Sequence, residues 1–262
     1  MMRDVQSSLD ERGIAIQRVG VSDVHLPFLI KTKEGDFQPV LANIRFTVAL
    51  PKEYKGTHMS RFIEILAPWS RKPLAEEEME AMLGEALERL QAESAALRLS
   101  FKYFVNKRAP VSQLSSCLDF DCFFLGEKRR GEAMVFSLGV TVPFTTLCPC
   151  SKEISVCGAH NQRSVTRAVV RFRPEVPCIY IEDLAALLEA QASSPLYGIL
   201  KREDEKYVTE AAYQNPKFVE DVLRDSVLAL RKLEGLAWFS LECENFESIH
   251  HHNAFAAHEE FL

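Results

Sequence analysis

The sequence predicts an α+β protein made of two successive ββααββ units, each an antiparallel sheet with helices on one face. Three observations carry this. Several stretches alternate apolar and polar residues, the period-two pattern of strands half-buried on one side. Between them lie stretches whose apolar residues recur every three or four positions, the pattern of amphipathic helices. The order strand, strand, helix, helix, strand, strand then occurs twice in 262 residues. The expected division is 1–128 and 129–262, joined around Gly126–Glu132.

The first unit opens with a strand over Val19–Lys31, a turn through Glu34-Gly35-Asp36, and a second strand. In that second strand Ala42, Ile44, Phe46, Val48 and Leu50 alternate with Asn43, Arg45 and Thr47. Met59, Phe62, Ile63 and Leu66 mark a helix, and Met79, Met82, Leu83, Ala86, Leu87 and Leu90 a longer one. Aromatic-rich strands follow at Arg98–Val105 and Leu118–Leu125. In the second unit, strands are expected at Ala133–Leu147 and Ser164–Phe172 and a helix over Ile181–Gln191. A further helix is expected to start at Asn215-Pro216, with Asn as N-cap and Pro at the first helical position. Val219, Val222, Leu223, Val227 and Leu230 would be its buried stripe. Strands at Ala237–Cys243 and from Ala254 onward complete the pattern.

Composition narrows the function classes. Thirty-one Lys and Arg against thirty-seven Asp and Glu give a net charge of −6, unlike the basic surface that nucleic acid requires. No apolar run approaches the ~18–20 residues that span a bilayer, and Met1–Ser7 lacks the apolar core of a secretion signal. A cytoplasmic protein, with neither a nucleic-acid nor a membrane partner, is expected. Seven cysteines without a secretory context do not suggest a disulfide framework.

Four segments could carry chemistry. Cys148-Pro149-Cys150, with Cys157 and His160 close behind, offers thiolate and imidazole ligands in a spacing unlike that of closed zinc-finger sites. Glu244–Asn253 holds Glu247 and the run His250-His251-His252, of which His250 and His252 face one way in an extended chain. Lys201–Tyr207, with Glu205, reads by composition alone as a solvated charged loop. Glu220 has Arg224 one turn later, the spacing of an ordinary helix-surface ion pair.

Together these segments resemble the GTP cyclohydrolase type IB family. The resemblance rests on Gly20-Val21-Ser22-Asp23-Val24-His25-Leu26-Pro27, Cys148-Pro149-Cys150-Ser151-Lys152-Glu153 and Gly158-Ala159-His160-Asn161-Gln162-Arg163-Ser164. Asp204-Glu205-Lys206-Tyr207-Val208-Thr209-Glu210 and Glu244–Asn253 complete it. It implies the tunnelling fold, in which tandem ββααββ units assemble through their sheets into a barrel-containing oligomer, usually a homotetramer. It also implies conversion of GTP and water to 7,8-dihydroneopterin triphosphate and formate, the entry to folate synthesis. One divalent metal per subunit, zinc, manganese or iron(II), would be held by Cys150, His160, Glu205 and His250. Cys148 would lie beside the metal without being a permanent ligand, Glu247 would serve catalysis with His160 as a hydrogen-bonding or acid–base group, and Glu220 would hold the purine ring. The triphosphate needs basic side chains, for which Lys152 and Arg163 are the candidates.

Three other functions share parts of this pattern. A tunnelling-fold nitrile reductase would use a Cys nucleophile and NADPH without a catalytic metal. A non-catalytic assembly protein would close the metal with protein ligands alone. A related cyclohydrolase would stop at a cyclic phosphate, a difference that product analysis reads directly.

Overall fold

Alternation sets the first sheet. In the computed structural model, which describes Gln6 and residues 8–262, strand β1 (Ile16–Lys31) turns into β2 (Phe37–Leu50) through Thr32–Asp36. Gly35 takes φ 92° at that turn, a conformation that glycine adopts without steric cost. Helix α1 (Met59–Leu66), the two-residue strand β3 (Pro73–Leu74) and helix α2 (Glu76–Arg89) follow. Then come the long strands β4 (Ser94–Arg108) and β5 (Ser115–Arg129), which extend beyond both expected ranges. Next are β6 (Val135–Leu147), the short helix α3 (Pro149–Ile154), β7 (Asn161–Phe172) and α4 (Ile181–Glu189). The chain continues through β8 (Ser194–Pro195), α5 (Arg202–Gln214), α6 (Val219–Leu230), β9 (Leu236–Asn245) and β10 (Ala254–Phe261). The result is a mixed α+β architecture of antiparallel sheet with helices on one face.

The chain divides into two compact units. One comprises the residues up to Lys102 together with Phe123–Ser137; the other comprises Tyr103–Cys122 and Leu138–Leu262. The expected joining segment Gly126–Glu132 is strand as far as Arg129 and then a turn.

In the first unit β4, β2, β1 and β3 are neighbours in that order. All pairings are antiparallel except the short β1–β3 contact. Ala42, Ile44, Phe46 and Val48 of β2 are buried, and the Phe46 ring meets that of Phe62 of α1 edge to face at 5.3 Å. Gly20 is required by close approach, because a Cβ there would lie 2.0 Å from the Phe46 carbonyl oxygen. Just beyond it the register shifts: Val21 pairs with Phe46 and Val24 with Ile44, so Ser22 and Asp23 together oppose Arg45. Asp23 takes φ 60° in this β-bulge, and its carboxylate accepts from Asn43 Nδ2 at 3.0 Å.

In the second unit the order is β10, β9, β7, β6, with β8 pairing on β6. The strands pair antiparallel, and α4 and α6 cover one face. Val140, Val142, Phe144, Ala168, Val170, Phe239 and Leu241 form the apolar floor, with Leu184, Leu188, Val222 and Leu230 above it.

Two helical readings are corrected. Helix α6 does not begin at Asn215-Pro216. Asn215 instead ends α5, its N–H bonding the Ala211 carbonyl, because the residue before proline is pushed out of the helical region. α6 starts at Val219, where Asp221 Oδ2 accepts the Phe218 N–H at 3.0 Å. The charged run Lys201–Tyr207 is not a loop but the first turns of α5, with Glu203, Asp204 and Glu205 at the positive end of the helix.

Candidate active site

The chemistry-bearing residues all lie in the second unit, and the end of the β6–β7 pair is where several of them meet. β6 ends at Leu147, and Cys148 caps helix α3, with Pro149 at its first position. The Cys148 Sγ accepts the Ser151 N–H at 3.4 Å, so the thiol sits at a helix start. Its own N–H donates to the His160 carbonyl at 3.1 Å, and the His160 N–H donates to Ser151 Oγ at 3.1 Å. Cys148 and His160 are thus tied across the loop that separates them. Cys150 and Cys157 are exposed.

His160 is oriented by a row of buried polar side chains. Gln162 Nε2 donates to Thr146 Oγ1 at 2.9 Å, which leaves Gln162 Oε1 facing His160 Nδ1 at 3.0 Å. An amide oxygen only accepts, so Nδ1 carries the proton and Nε2 keeps its lone pair. Thr146 Oγ1 and Ser164 Oγ share a further hydrogen bond at 2.8 Å. Glu247 Oε2 lies 4.0 Å from the same Nδ1, with both side chains mostly buried. Glu247 is held by the irregular end of β9, where the Phe246 N–H donates to the Arg163 carbonyl at 3.0 Å. Sequence reasoning placed His160 and Glu247 in one site, and the structure brings them together. It missed Gln162, Thr146 and Ser164. The available signal was polar residues at inward positions of a strand, where apolar ones are the rule.

Other candidates stand apart. Glu205 is exposed on the first turn of α5, and its neighbour Asp204 is the buried one. Asp204 accepts from the backbone N–H groups of Val111, Ser112 and Lys201 at 2.8–2.9 Å and from Ser112 Oγ at 2.6 Å. Burial alone would raise its pKa; these donors outweigh that and hold the carboxyl well below the usual range. His250 and His252 stack with ring centroids 5.1 Å apart in the exposed turn after Glu247, a bend rather than the extended chain to which the alternation reading applied. Lys152 Nζ donates to the Tyr213 carbonyl and lies 4.3 Å over the Tyr213 ring, so α3 is tied to the end of α5. Arg163 is exposed on β7. Glu220 is exposed in the first turn of α6, and Arg224 lies 3.6 Å from Asp221 rather than pairing with Glu220.

Among the described residues no three His, Cys, Asp or Glu side chains are grouped closely enough to hold a metal ion. The donor set itself suits one. A thiolate, two imidazoles and a carboxylate match a borderline divalent ion, and Cys150, Glu205 and His250 are all accessible to it.

Comparison with known proteins adds an independent line. A family model described as type I GTP cyclohydrolase folE2 matches residues 2–256. The GTP cyclohydrolase FolE2 of Geobacter sulfurreducens is 49% identical over 259 residues, covering 99% of this chain and 98% of its own. That of Dictyoglomus thermophilum is 48% identical over 258 residues, with 98% of each covered. That of Burkholderia ambifaria is 50% identical over 256 residues, covering 98% of this chain and 93% of its own. Among solved structures, uricase from Arthrobacter globiformis gives a TM-score of 0.57 at 9% identity, covering 94% of this chain and 93% of its own. Urate oxidase from Bacillus sp. TB-90 gives 0.54 at 10% identity, covering 94% and 100%. At such identities the likeness is one of fold, and it agrees with the tunnelling fold.

Proposed function

The chain belongs to the type I GTP cyclohydrolase FolE2 family, and from that membership we infer its activity: conversion of GTP and water to 7,8-dihydroneopterin triphosphate and formate, the first step of folate biosynthesis. The observation that carries this is identity near one half, sustained over almost the whole length of chain and relatives alike.

A divalent metal belongs to the proposal, with Cys150, His160, Glu205 and His250 as its ligands and zinc, manganese or iron(II) as the ion. When bound it supplies hydroxide at neutral pH, by lowering the pKa of water towards ~7, for attack at C8 of guanine. The chain's own residues do the rest. Gln162 fixes the His160 tautomer, so Nε2 is the nitrogen left to act. Glu247, 4.0 Å from Nδ1, sets its carboxylate beside the protonated side of the ligating ring. Opening of the hydrated imidazole ring of guanine and hydrolysis of the formamide both move protons, which Glu247 and the Cys148 thiol can relay. Glu220 accepts N1–H and the exocyclic amine of guanine side by side, and Lys152 and Arg163 face the triphosphate. A homotetramer in the cytoplasm is the assembly and location proposed.

Incubating metal-reconstituted protein with GTP, then measuring formate and oxidised fluorescent pterin, tests the activity. Equimolar formate and pterin are expected. Neither product, or formate with a cyclic phosphate in place of the triphosphate, would overturn it.

A further inference from the structure

We propose that Arg45 and Arg98 form an oxyanion site on the face of the first unit's sheet opposite α1, and that it takes a phosphate-bearing ligand. The two arginines are direct partners in the antiparallel register of β2 and β4, between the pairs Asn43–Ser100 and Thr47–Ala96. Their neighbours Ile44, Phe46, Leu97 and Leu99 are buried on the other side, where α1 packs, so both arginine side chains stand on the face opposite α1. Like charges placed directly opposite destabilise a sheet, and a guanidinium cannot escape by losing its proton. Among the described residues neither arginine has a carboxylate partner.

The surroundings are built rather than loose. Arg98 lies with its guanidinium carbon 3.5 Å from the centroid of the Phe123 ring, a contact that fixes its plane. Burial, and then the charge of Arg45, push its pKa below the usual arginine value. Arg45 faces the bulge in which two residues of β1, Ser22 and Asp23, oppose it. The nearby acid, Asp23, is already engaged: it accepts from Asn43 at 3.0 Å and lies 3.8 Å from the His25 imidazole. One pair along the same face, Ser100 offers its hydroxyl. An oxyanion between the arginines would accept paired hydrogen bonds from each fork, turning a repulsion into a clamp. Part of the motif Gly20–Pro27, which the proposed chemistry leaves without a task, would then serve to shape this face.

The phosphate has two possible sources: the triphosphate tail of GTP, which rests on the proposed activity, or a separate phosphorylated compound. Calorimetric titration of the full-length protein with inorganic tripolyphosphate reads the site without turnover. Parent protein should bind it, and Arg45→Met and Arg98→Met should each weaken binding at least tenfold. Arg98→Lys keeps a charge above Phe123 but loses the fork; it should bind more weakly than the parent, and this holds the test open if a Met variant does not fold. Displacement of tripolyphosphate by GTP, with KM for GTP raised and kcat kept in the variants, assigns the site to the substrate's tail. Absence of displacement assigns it to a separate compound. No binding by the parent, or parent-like affinity in the variants, would overturn the proposal whatever the activity assay gives.

Discussion

Glu220 sits at the second position of α6 with its carboxylate exposed, and Arg224 is 3.6 Å from Asp221 instead. The helix-surface ion pair that its spacing suggested is therefore absent, and the carboxylate remains available to a purine. Guanine presents two adjacent donors to it; adenine does not. Glu220→Gln keeps the shape but replaces one acceptor with a donor, so GTP turnover should fall at least a hundredfold, equivalent to ~2.7 kcal/mol. Metal content and oligomeric state should not change. Parent-like turnover would place the purine anchor elsewhere. Cys148 separates capping from chemistry in the same way. Serine is a good N-cap, so Cys148→Ser preserves the start of α3 while removing the thiol. The variant should keep the parent's stability and metal but lose at least tenfold in turnover. Full turnover would show that Cys148 acts as a cap alone.

Helix α5 is polar almost all round, with Asp204 and Ala212 its buried residues. Asp204 therefore carries much of its attachment, through the donors from Val111 and Ser112. Asp204→Ala leaves those N–H groups without their acceptor and should lower Tm by several degrees at neutral pH. The folded pKa of Asp204 is depressed, so its stabilisation is present above the ordinary carboxylate pKa and fades as pH falls through the folded value. Thermal scans of parent and variant should thus converge in acid; a constant gap would show that the lost bonds do not depend on ionisation. The same helix marks the limit of legibility. Strong alternation in β2 and β7, and helical spacing in α1, α2 and α6, were readable because each buries one apolar face. α5 has no such face, and the carboxylate that anchors its start lies inside a charged run, which composition cannot distinguish from a solvated loop. The site was legible in parts: Cys148, His160 and Glu247 by residue type and resemblance. The Gln162–Thr146–Ser164 row was not, since its meaning depends on which side of β7 faces inward.

At the scale of the molecule, edge strand β10 leaves Phe255 and Phe261 exposed at 60% and 76%. An apolar, unpaired edge of this kind is a surface for pairing with another chain. Sedimentation at micromolar concentration should show a homo-oligomer, with a tetramer expected. A monomer of 29.7 kDa would contradict both the proposed assembly and any barrel.

The Asp204 attachment also bears on the order in which the protein folds. Its partners Val111 and Ser112 lie 93 and 92 positions earlier in the chain, so the contact closes a long loop and follows the local hairpins. With little apolar burial to hold it, α5 should dock late and release early, as a unit of low local stability. Glu205 travels with it. Amide hydrogen exchange across Arg202–Gln214 should then outpace that of β7 and β9 in the apoprotein and slow when a divalent ion is added, because holding the ion and docking the helix would be a single event.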